Sequence, residues 1–166
     1  MTVGKKFLVM GLPGSGKTTL AKILSKELKA VWLNADEIRK KYNDWDFSVE
    51  GRSRQAKRMF NLSKELNQQG KDVVADFICP TTKTRNEFKP DKIIWMDTIS
   101  EGRFDDTNKL FEKPENYDFR VTVKDALNES KKILAKIKNW NEITYSYLET
   151  NKSIYKISYS IFKNFI

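Results

Sequence analysis

The sequence predicts an α/β protein, a three-layer α/β/α sandwich built on a parallel sheet. Two observations lead to this prediction. Short apolar runs alternate along the chain with amphipathic segments of helical period, which is typical of parallel strands joined by helices. The first apolar run is followed by a glycine-rich loop, residues 11–18 (Gly-Leu-Pro-Gly-Ser-Gly-Lys-Thr), and then by a helical pattern.

The elements are expected in a regular order with right-handed crossovers. The predicted strands are residues 6–10, 31–33, 72–78, 92–97 and 119–123. A helix follows the glycine-rich loop, with apolar positions 20, 23, 24 and 28 on one face. Asp36 is interpreted as the N-cap of a short helix that ends near Lys41, and 43–52 as a loop. A longer helix is predicted from Ser53 to Gly70, whose glycine suits a helix C-terminus.

The second half of the chain contains two further segments. Residues 98–118 are polar without a clear period, and a loop of this length is interpreted as a lid over a ligand, with an ordinary surface excursion as the alternative. A helix is predicted from Asp125 onward. We therefore predict one domain, residues 1–139, and a C-terminal extension, residues 140–166, that packs on the domain or on a second subunit.

The glycine-rich loop has the pattern G-x-x-x-x-G-K-[ST], which between a strand and a helix predicts a loop that binds nucleoside-triphosphate phosphates. This pattern predicts the P-loop-containing nucleoside triphosphate hydrolase fold. A Gly-rich turn without ligand is the alternative. Lys17 is expected against the β- and γ-phosphates and the Thr18 hydroxyl on Mg²⁺. The expected ATP-binding residues are Gly11, Leu12, Pro13, Gly14, Ser15, Gly16, Lys17, Thr18 and Thr19.

Composition narrows the class of function. The formal net charge is +9, which favours anionic ligands and permits nucleic acid without requiring it. The absence of histidine excludes His-based triads and His metal sites. We expect a cytoplasmic protein that does not enter the membrane. The reasons are the single cysteine, the start of the chain directly in the first strand, and the lack of an apolar run of membrane length.

Phosphoryl transfer also needs a carboxylate beside the acceptor hydroxyl and a cation for an anionic partner. Asp36 follows the second strand, at the sheet edge where ligands bind in such folds. Arg39 lies one helical turn further on. Asp36 would serve as the base, and Arg39 would bind the anionic partner. The structural alternative for Asp36 is the N-cap role.

Four segments carry a family resemblance. Residues 33–39 are similar to L-D-G-D-N-[VI]-R and residues 46–48 to G-F-S. Arg52 with the helix to Arg58 is similar to D-R-x-E-N-I-R-R, and residues 77–80 with Arg85 are similar to F-I-S-P-Y-x-x-D-R. In this order the segments resemble adenylylsulfate kinases over roughly residues 5–97. Members of that family transfer the γ-phosphoryl group of MgATP to the 3′-hydroxyl of adenylylsulfate in sulfate activation, and they commonly form dimers, so a homodimer is expected by analogy.

The resemblance implies roles for named residues. Asp36 would be the acceptor-side base and would hold Mg²⁺ partly through water, Arg39 and Arg52 would bind the phosphosulfate, and Phe47 would stack on the substrate adenine. Gln55 stands where the family has Asn, and the same pocket would include Ile78 and Cys79. The structural alternatives are core packing for Phe47, an apolar filler for Cys79, and solvated surface charges for Arg52, Arg58 and Arg85.

The sequence also departs from the family pattern. Asn34 replaces the first Asp of D-G-D, and Asp76 is a candidate substitute carboxylate for Mg²⁺. The lid motifs have no faithful copy, although Arg103 is expected to press on the ATP base and Lys109 to reach a phosphate. Because a lid completes an acceptor pocket, the rebuilt lid leaves other acceptors open: a polynucleotide 5′-hydroxyl, a nucleoside or a sugar. A non-catalytic, regulatory ATP-binding module is the alternative of another class.

Overall fold

A computed structural model describes residues 3–139 of the chain. Within these residues, five strands form one sheet: β1 (Lys6–Gly11), β2 (Val31–Asn34), β3 (Val73–Asp76), β4 (Lys92–Met96) and β5 (Phe119–Val121). The strand order is β2-β3-β1-β4-β5, and all neighbouring strands are parallel. The parallel sheet predicted from the alternating pattern is confirmed.

The helices that connect the strands are α1 (Lys17–Leu28), α2 (Ala35–Lys41), α3 (Val49–Gln68), α4 (Thr82–Phe88) and α5 (Asp105–Leu110). Residues 126–139 are also helical. The chain divides after Ser130 into two compact units. The predicted extension, residues 140–166, lies outside the described residues, so the predicted domain organisation stays a prediction.

The apolar core lies on both faces of the sheet. One cluster joins β1 to α3 and α4 and contains Leu8, Met10, Ala56, Met59 and Phe88. Successive strand residues point to opposite faces, so the fully buried Val9 points away from this cluster. Helix α1 packs against β1, β2 and β3. The predicted three-layer α/β/α sandwich is confirmed.

The start of α2 differs from the prediction. Asn34 is the N-cap, because its side-chain oxygen accepts hydrogen bonds from the backbone N–H groups of Asp36 at 3.1 Å and Glu37 at 3.0 Å. The N-cap role predicted for Asp36 is therefore wrong. Asp36 instead lies in the first turn of α2, where its side chain is exposed and not used for capping.

Helix α3 begins at Val49, four residues before the predicted start at Ser53. The Ser48 hydroxyl caps it by accepting a 3.1 Å hydrogen bond from the Gly51 amide. The apolar period begins only at Ala56, so periodicity could not mark the first turn. Strand β3 is also shorter than predicted, because its pairing with β1 and β2 ends at Asp76.

Two short helices were not predicted. Helix α4 follows β3 and begins with a capping box between Thr81 and Thr84. Helix α5 lies inside the polar segment 98–118, and its six residues include one buried side chain, that of Thr107. Neither helix is long enough to display a clear apolar period.

In the part of the chain that is described, no helix combines the length and hydropathy that a membrane span requires.

Candidate active site

The carboxyl ends of the central strands open into a cleft of about 500 Å³. Its walls are the phosphate loop, the start of α2, the loop before α3 with the first turns of α3, the segment between β3 and α4, and the segment around α5. Crevices at this edge are where ligands bind in open parallel sheets. The cleft therefore lies where the sequence placed the candidate residues.

The phosphate loop turns tightly between β1 and α1. Gly16 is the N-cap of α1 and has a left-handed backbone, with φ of 95°, a conformation that favours glycine. Gly11 lies against β4, where an added Cβ would be 2.5 Å from the Met96 carbonyl oxygen. Four loop residues line the cleft: Pro13, Gly14, Lys17 and Thr18. Leu12 and Ser15 are buried within the loop, and Thr19 is exposed on α1.

Lys17 is largely buried, and its Nζ donates a 2.9 Å hydrogen bond to the Leu12 carbonyl oxygen. Burial lowers the pKa of the Lys17 ammonium, whereas the nearby carboxylates of Asp76 and Asp36 raise it. The ammonium therefore lies close to both carboxylates that the sequence singled out. Their attraction favours the charged form and opposes the effect of desolvation on the pKa.

Asp76 ends β3 and is only 2% exposed. Its Oδ2 accepts a 2.9 Å hydrogen bond from Asn34 Nδ2. Burial raises the pKa of Asp76, and this rise is opposed by hydrogen bonds from the side chains of Asn34 and Thr18 and by the charge of Lys17. The carboxylate is thus buried beside the residue at which Mg²⁺ was expected.

The side chains at this end of the cleft could hold a magnesium ion together with other ligands, but could not enclose one by themselves. The described residues contain no group of three or more His, Cys, Asp or Glu side chains that could enclose a metal. Thr18, Asp36 and Asp76 nevertheless present oxygen donors to the same cleft. Mg²⁺ is usually held by one or two carboxylates together with substrate phosphates and water. The donor set therefore fits an ion that arrives with a nucleotide.

Arg39 is buried, and its guanidinium holds the loop before α3. Nη1 donates to the carbonyl oxygens of Asp44 and Asp46, each at 2.9 Å, and Nη2 lies 3.5 Å from the Gly51 carbonyl oxygen. The guanidinium also stacks on the Phe47 ring, with its carbon 4.6 Å from the ring centroid. Arg39 lines the cleft, but most of its donors are used by backbone carbonyl oxygens, and its role as an anion clamp stays a prediction.

Phe47 and Arg52 both line the cleft and contact each other. Phe47 is 47% exposed, so the alternative that it is an ordinary core residue is wrong. Arg52 is 9% exposed, and its Nε donates a 2.8 Å hydrogen bond to the Phe47 carbonyl oxygen. The alternative of a solvated surface charge is therefore also wrong for Arg52.

Gln55, Ile78 and Cys79 line the same cleft. Gln55 is buried, donates a 3.0 Å hydrogen bond to the Ala35 carbonyl oxygen and accepts one from Arg58. Cys79 is 1% exposed, and burial raises the pKa of its thiol to about 12, so the thiol is protonated at neutral pH.

The other two arginines of the resemblance have partners within the protein, Arg85 mainly backbone carbonyl oxygens and Arg58 side chains. Arg85 is 6% exposed and donates to the carbonyl oxygens of Cys79, Pro80 and Glu112. It is not a solvated surface charge. Arg58 is half-buried and pairs with Asp44 at 2.7 Å.

The segment 98–118 contributes residues that the sequence did not identify. Arg103, expected against the ATP base, lines the cleft, whereas Lys109, expected at a phosphate, is exposed on α5 and is not among the lining residues. Lining residues missed by sequence reasoning include Phe104, Asp106 and Thr107 in this segment and Trp45 in the loop before α3. The unpredicted helix α5 carries two of them, and its register places residues 106 and 107 rather than 109 at the cleft. The signal that could have found Trp45 and Phe104 is their aromatic type in polar segments.

Comparisons with known proteins agree with this arrangement. The sequence profile described as adenylylsulphate kinase matches residues 3–97. An adenylyl-sulfate kinase of Bacillus velezensis is 31% identical over 102 residues, which are 58% of this chain and 48% of that protein. A cytidine diphosphoramidate kinase of Campylobacter jejuni is 34% identical over 73 residues, 41% of this chain and 43% of that protein. The chain thus spans about half the length of the curated relatives it matches.

A solved structure shows the same fold. The Mycobacterium tuberculosis APS kinase CysC, in complex with AMPPNP and APS, superposes with a TM-score of 0.71 and 20% identity, covering 83% of this chain and 99% of that one. The profile match covers more than half of the chain, including the phosphate loop, α2 and α3. The chain belongs to the adenylylsulphate kinase family.

Proposed function

We propose that this protein is an ATP-dependent kinase that transfers the γ-phosphoryl group to the 3′-hydroxyl of adenylylsulfate. The observation that carries the proposal is that a single cleft is lined by Lys17 and Thr18 of the phosphate loop together with Asp36, Phe47 and Arg52. A cleft that served only nucleotide binding would not need a carboxylate and a buried arginine on the acceptor side.

The phosphate loop binds and orients the triphosphate. Its backbone N–H groups and the N-terminus of α1 offer donors and a positive dipole end to the phosphate oxygens. The Lys17 ammonium leaves the Leu12 carbonyl oxygen and donates to phosphate oxygens, where it stabilises the charge that develops during transfer. Mg²⁺, held by Thr18 and by Asp36 partly through water, with Asp76 beside it, would neutralise phosphate charge when bound.

The acceptor side orients the hydroxyl. Asp36 accepts the hydroxyl proton as the acceptor oxygen bonds to the γ-phosphorus, the bond from that phosphorus to the bridging oxygen breaks, and ADP leaves with the electron pair. Phe47 offers an exposed ring for a base, Arg52 offers charge to the anionic tail, and Arg103 lies where it can contact the nucleotide. The transfer is direct and forms no covalent enzyme intermediate.

A second acceptor is favoured by a specific observation. The Campylobacter jejuni relative acts, by its name, on cytidine diphosphoramidate, and its identity to this chain, 34% over 73 residues, is comparable to the 31% over 102 residues of the Bacillus velezensis adenylyl-sulfate kinase. Both names describe a nucleotide with an anionic tail. We therefore keep cytidine diphosphoramidate as the second candidate acceptor for the same cleft.

The test is a panel assay with MgATP and adenylylsulfate, cytidine diphosphoramidate, nucleosides, sugars and 5′-hydroxyl oligonucleotides, read by mass spectrometry for the product that gains a phosphate. Lys17→Ala should abolish turnover. Lys22→Ala, on the same helix and with its ammonium over the Trp32 ring, should retain it. Tight ATP binding without phosphorylation of any acceptor would overturn the kinase proposal and support a regulatory module.

A further inference from the structure

The buried guanidinium of Arg52 is already paired with a carboxylate of the cleft. Its Nη2 lies 3.2 Å from Asp106 Oδ2 and 3.1 Å from Thr107 Oγ1, both on α5. The Asp106 side chain is 71% exposed, whereas that of Arg52 is 9% exposed. A mostly exposed carboxylate on α5 thus pairs with a buried cation of the cleft.

The position of Arg52 itself is set by a different contact. Its Nε donates to the Phe47 carbonyl oxygen at 2.8 Å, so the guanidinium is held beside the exposed Phe47 ring. A nucleotide whose base stacks on that ring would bring its anionic tail toward the same guanidinium. The tail would then meet the Asp106 carboxylate on Nη2.

The chemistry of the tail decides how it tolerates that carboxylate. A sulfate group at neutral pH carries negative charge and only hydrogen-bond acceptors, so it is repelled by Asp106 and competes with it for Arg52. A phosphoramidate tail carries an N–H donor that a carboxylate can accept. The two tails should therefore differ in their response to the charge at residue 106.

We propose that Asp106 is a specificity-determining residue, which competes with the acceptor's anionic tail for Arg52 and disfavours a sulfate tail relative to a tail that carries an N–H donor. This inference rests on the proposed function, since it concerns the acceptor end of the same cleft. The preferred acceptors are then nucleotides whose anhydride tail carries a hydrogen-bond donor.

The substitution Asp106→Asn tests this without disturbing the fold. It removes the charge and keeps the shape, at a side chain that is mostly exposed. Thr107 is 2% exposed and retains its hydrogen bond to Arg52, so α5 stays attached to α3. Asp105→Asn is the matched control, because it makes the same change one residue earlier in the first turn of α5, at a residue that does not line the cleft.

The assay measures kcat/KM for adenylylsulfate and for cytidine diphosphoramidate. In D106N the ratio of the two should shift toward adenylylsulfate by roughly fivefold, because loss of the charge relieves both anionic tails, whereas only the phosphoramidate tail also loses its N–H hydrogen bond to a charged acceptor. D105N should keep the ratio of the unsubstituted protein. An unchanged ratio in D106N, or a shift toward the phosphoramidate, would overturn the proposal.

A binding measurement separates this inference from the proposed function. Inorganic sulfate is titrated calorimetrically into both variants, because binding at the phosphate loop is common to them and cancels in the comparison. Roughly fivefold tighter binding to D106N than to D105N supports the role of Asp106 even if neither acceptor is phosphorylated. Equal sulfate affinity in the two variants overturns it, whatever the turnover shows.

Discussion

Asn34 Nδ2 donates a 2.9 Å hydrogen bond to Oδ2 of Asp76, and the two residues are register partners at the ends of β2 and β3. Asn34 also caps α2 with its side-chain oxygen. One amide therefore fixes the start of the helix that carries Asp36 and gives a neutral donor to a buried carboxylate. The asparagine that replaces the family's aspartate thus has a defined structural role.

Replacing Asn34 with Asp should make stability fall as pH rises. Burial raises the pKa of Asp76, so folding takes up a proton between its unfolded and folded pKa values, and the free energy of unfolding decreases with rising pH in that interval. A second carboxylate removes the donated hydrogen bond and raises the pKa of the pair further. We expect N34D to lose about 2 kcal/mol of stability at neutral pH and much less near pH ~4.

The measurement is the melting temperature of N34D across this pH range. Asn61→Asp, which adds the same charge at an exposed position of α3, is the control and should show little change. Parallel pH profiles for N34D and N61D would contradict the assignment of a buried carboxylate pair.

Replacing Asp36 with Asn should reduce kcat at least roughly a hundredfold, the usual size of a general-base effect, with the KM for ATP little changed. Steady-state kinetics with the acceptor identified by the panel assay provide the measurement. Glu37→Gln changes the neighbouring exposed carboxylate in the same helical turn, outside the cleft lining, and should be neutral. Near-normal turnover in D36N would remove Asp36 from the mechanism.

Replacing Phe47 with Ala should raise the KM for a nucleotide acceptor about tenfold and leave the KM for ATP unchanged, because a stacked base contributes roughly 1–3 kcal/mol. Val49→Ala, an exposed apolar residue two positions later that does not line the cleft, is the matched control. Equal acceptor KM values in the two variants would assign Phe47 to packing with Arg39 alone.

Replacing Arg39 with Ala should destabilise the protein by about 3 kcal/mol, since it leaves carbonyl oxygens of the loop before α3 without their charged donor. Urea unfolding measures this loss. Lys40→Ala, exposed on the same helix, should cost far less. If R39A unfolds like K40A but loses acceptor binding, the arginine is an anion clamp, as the sequence first suggested, and not a support of the loop.

The sequence by itself determined the phosphate loop, the parallel α/β class and the family resemblance. The loop requires glycines, a lysine and a hydroxyl at fixed spacing in one short segment, and the strand pattern follows from burial on both faces, so both are local properties of the chain. Asp36, Arg39, Phe47, Arg52 and Gln55 were also found from a local motif, and the structure places them all along one cleft.

Only the tertiary structure decided what these side chains contact. Asn34 meets Asp76 across 42 positions, and Arg52 meets Asp106 across 54, through the pairing of two strands and the return of α5 to α3. Short helices such as α5 carry too few residues for an apolar period, so their register, which sets Asp106 in the cleft and Lys109 outside it, depends on packing. Long-range packing of this kind is decided by the whole fold and not by local sequence pattern.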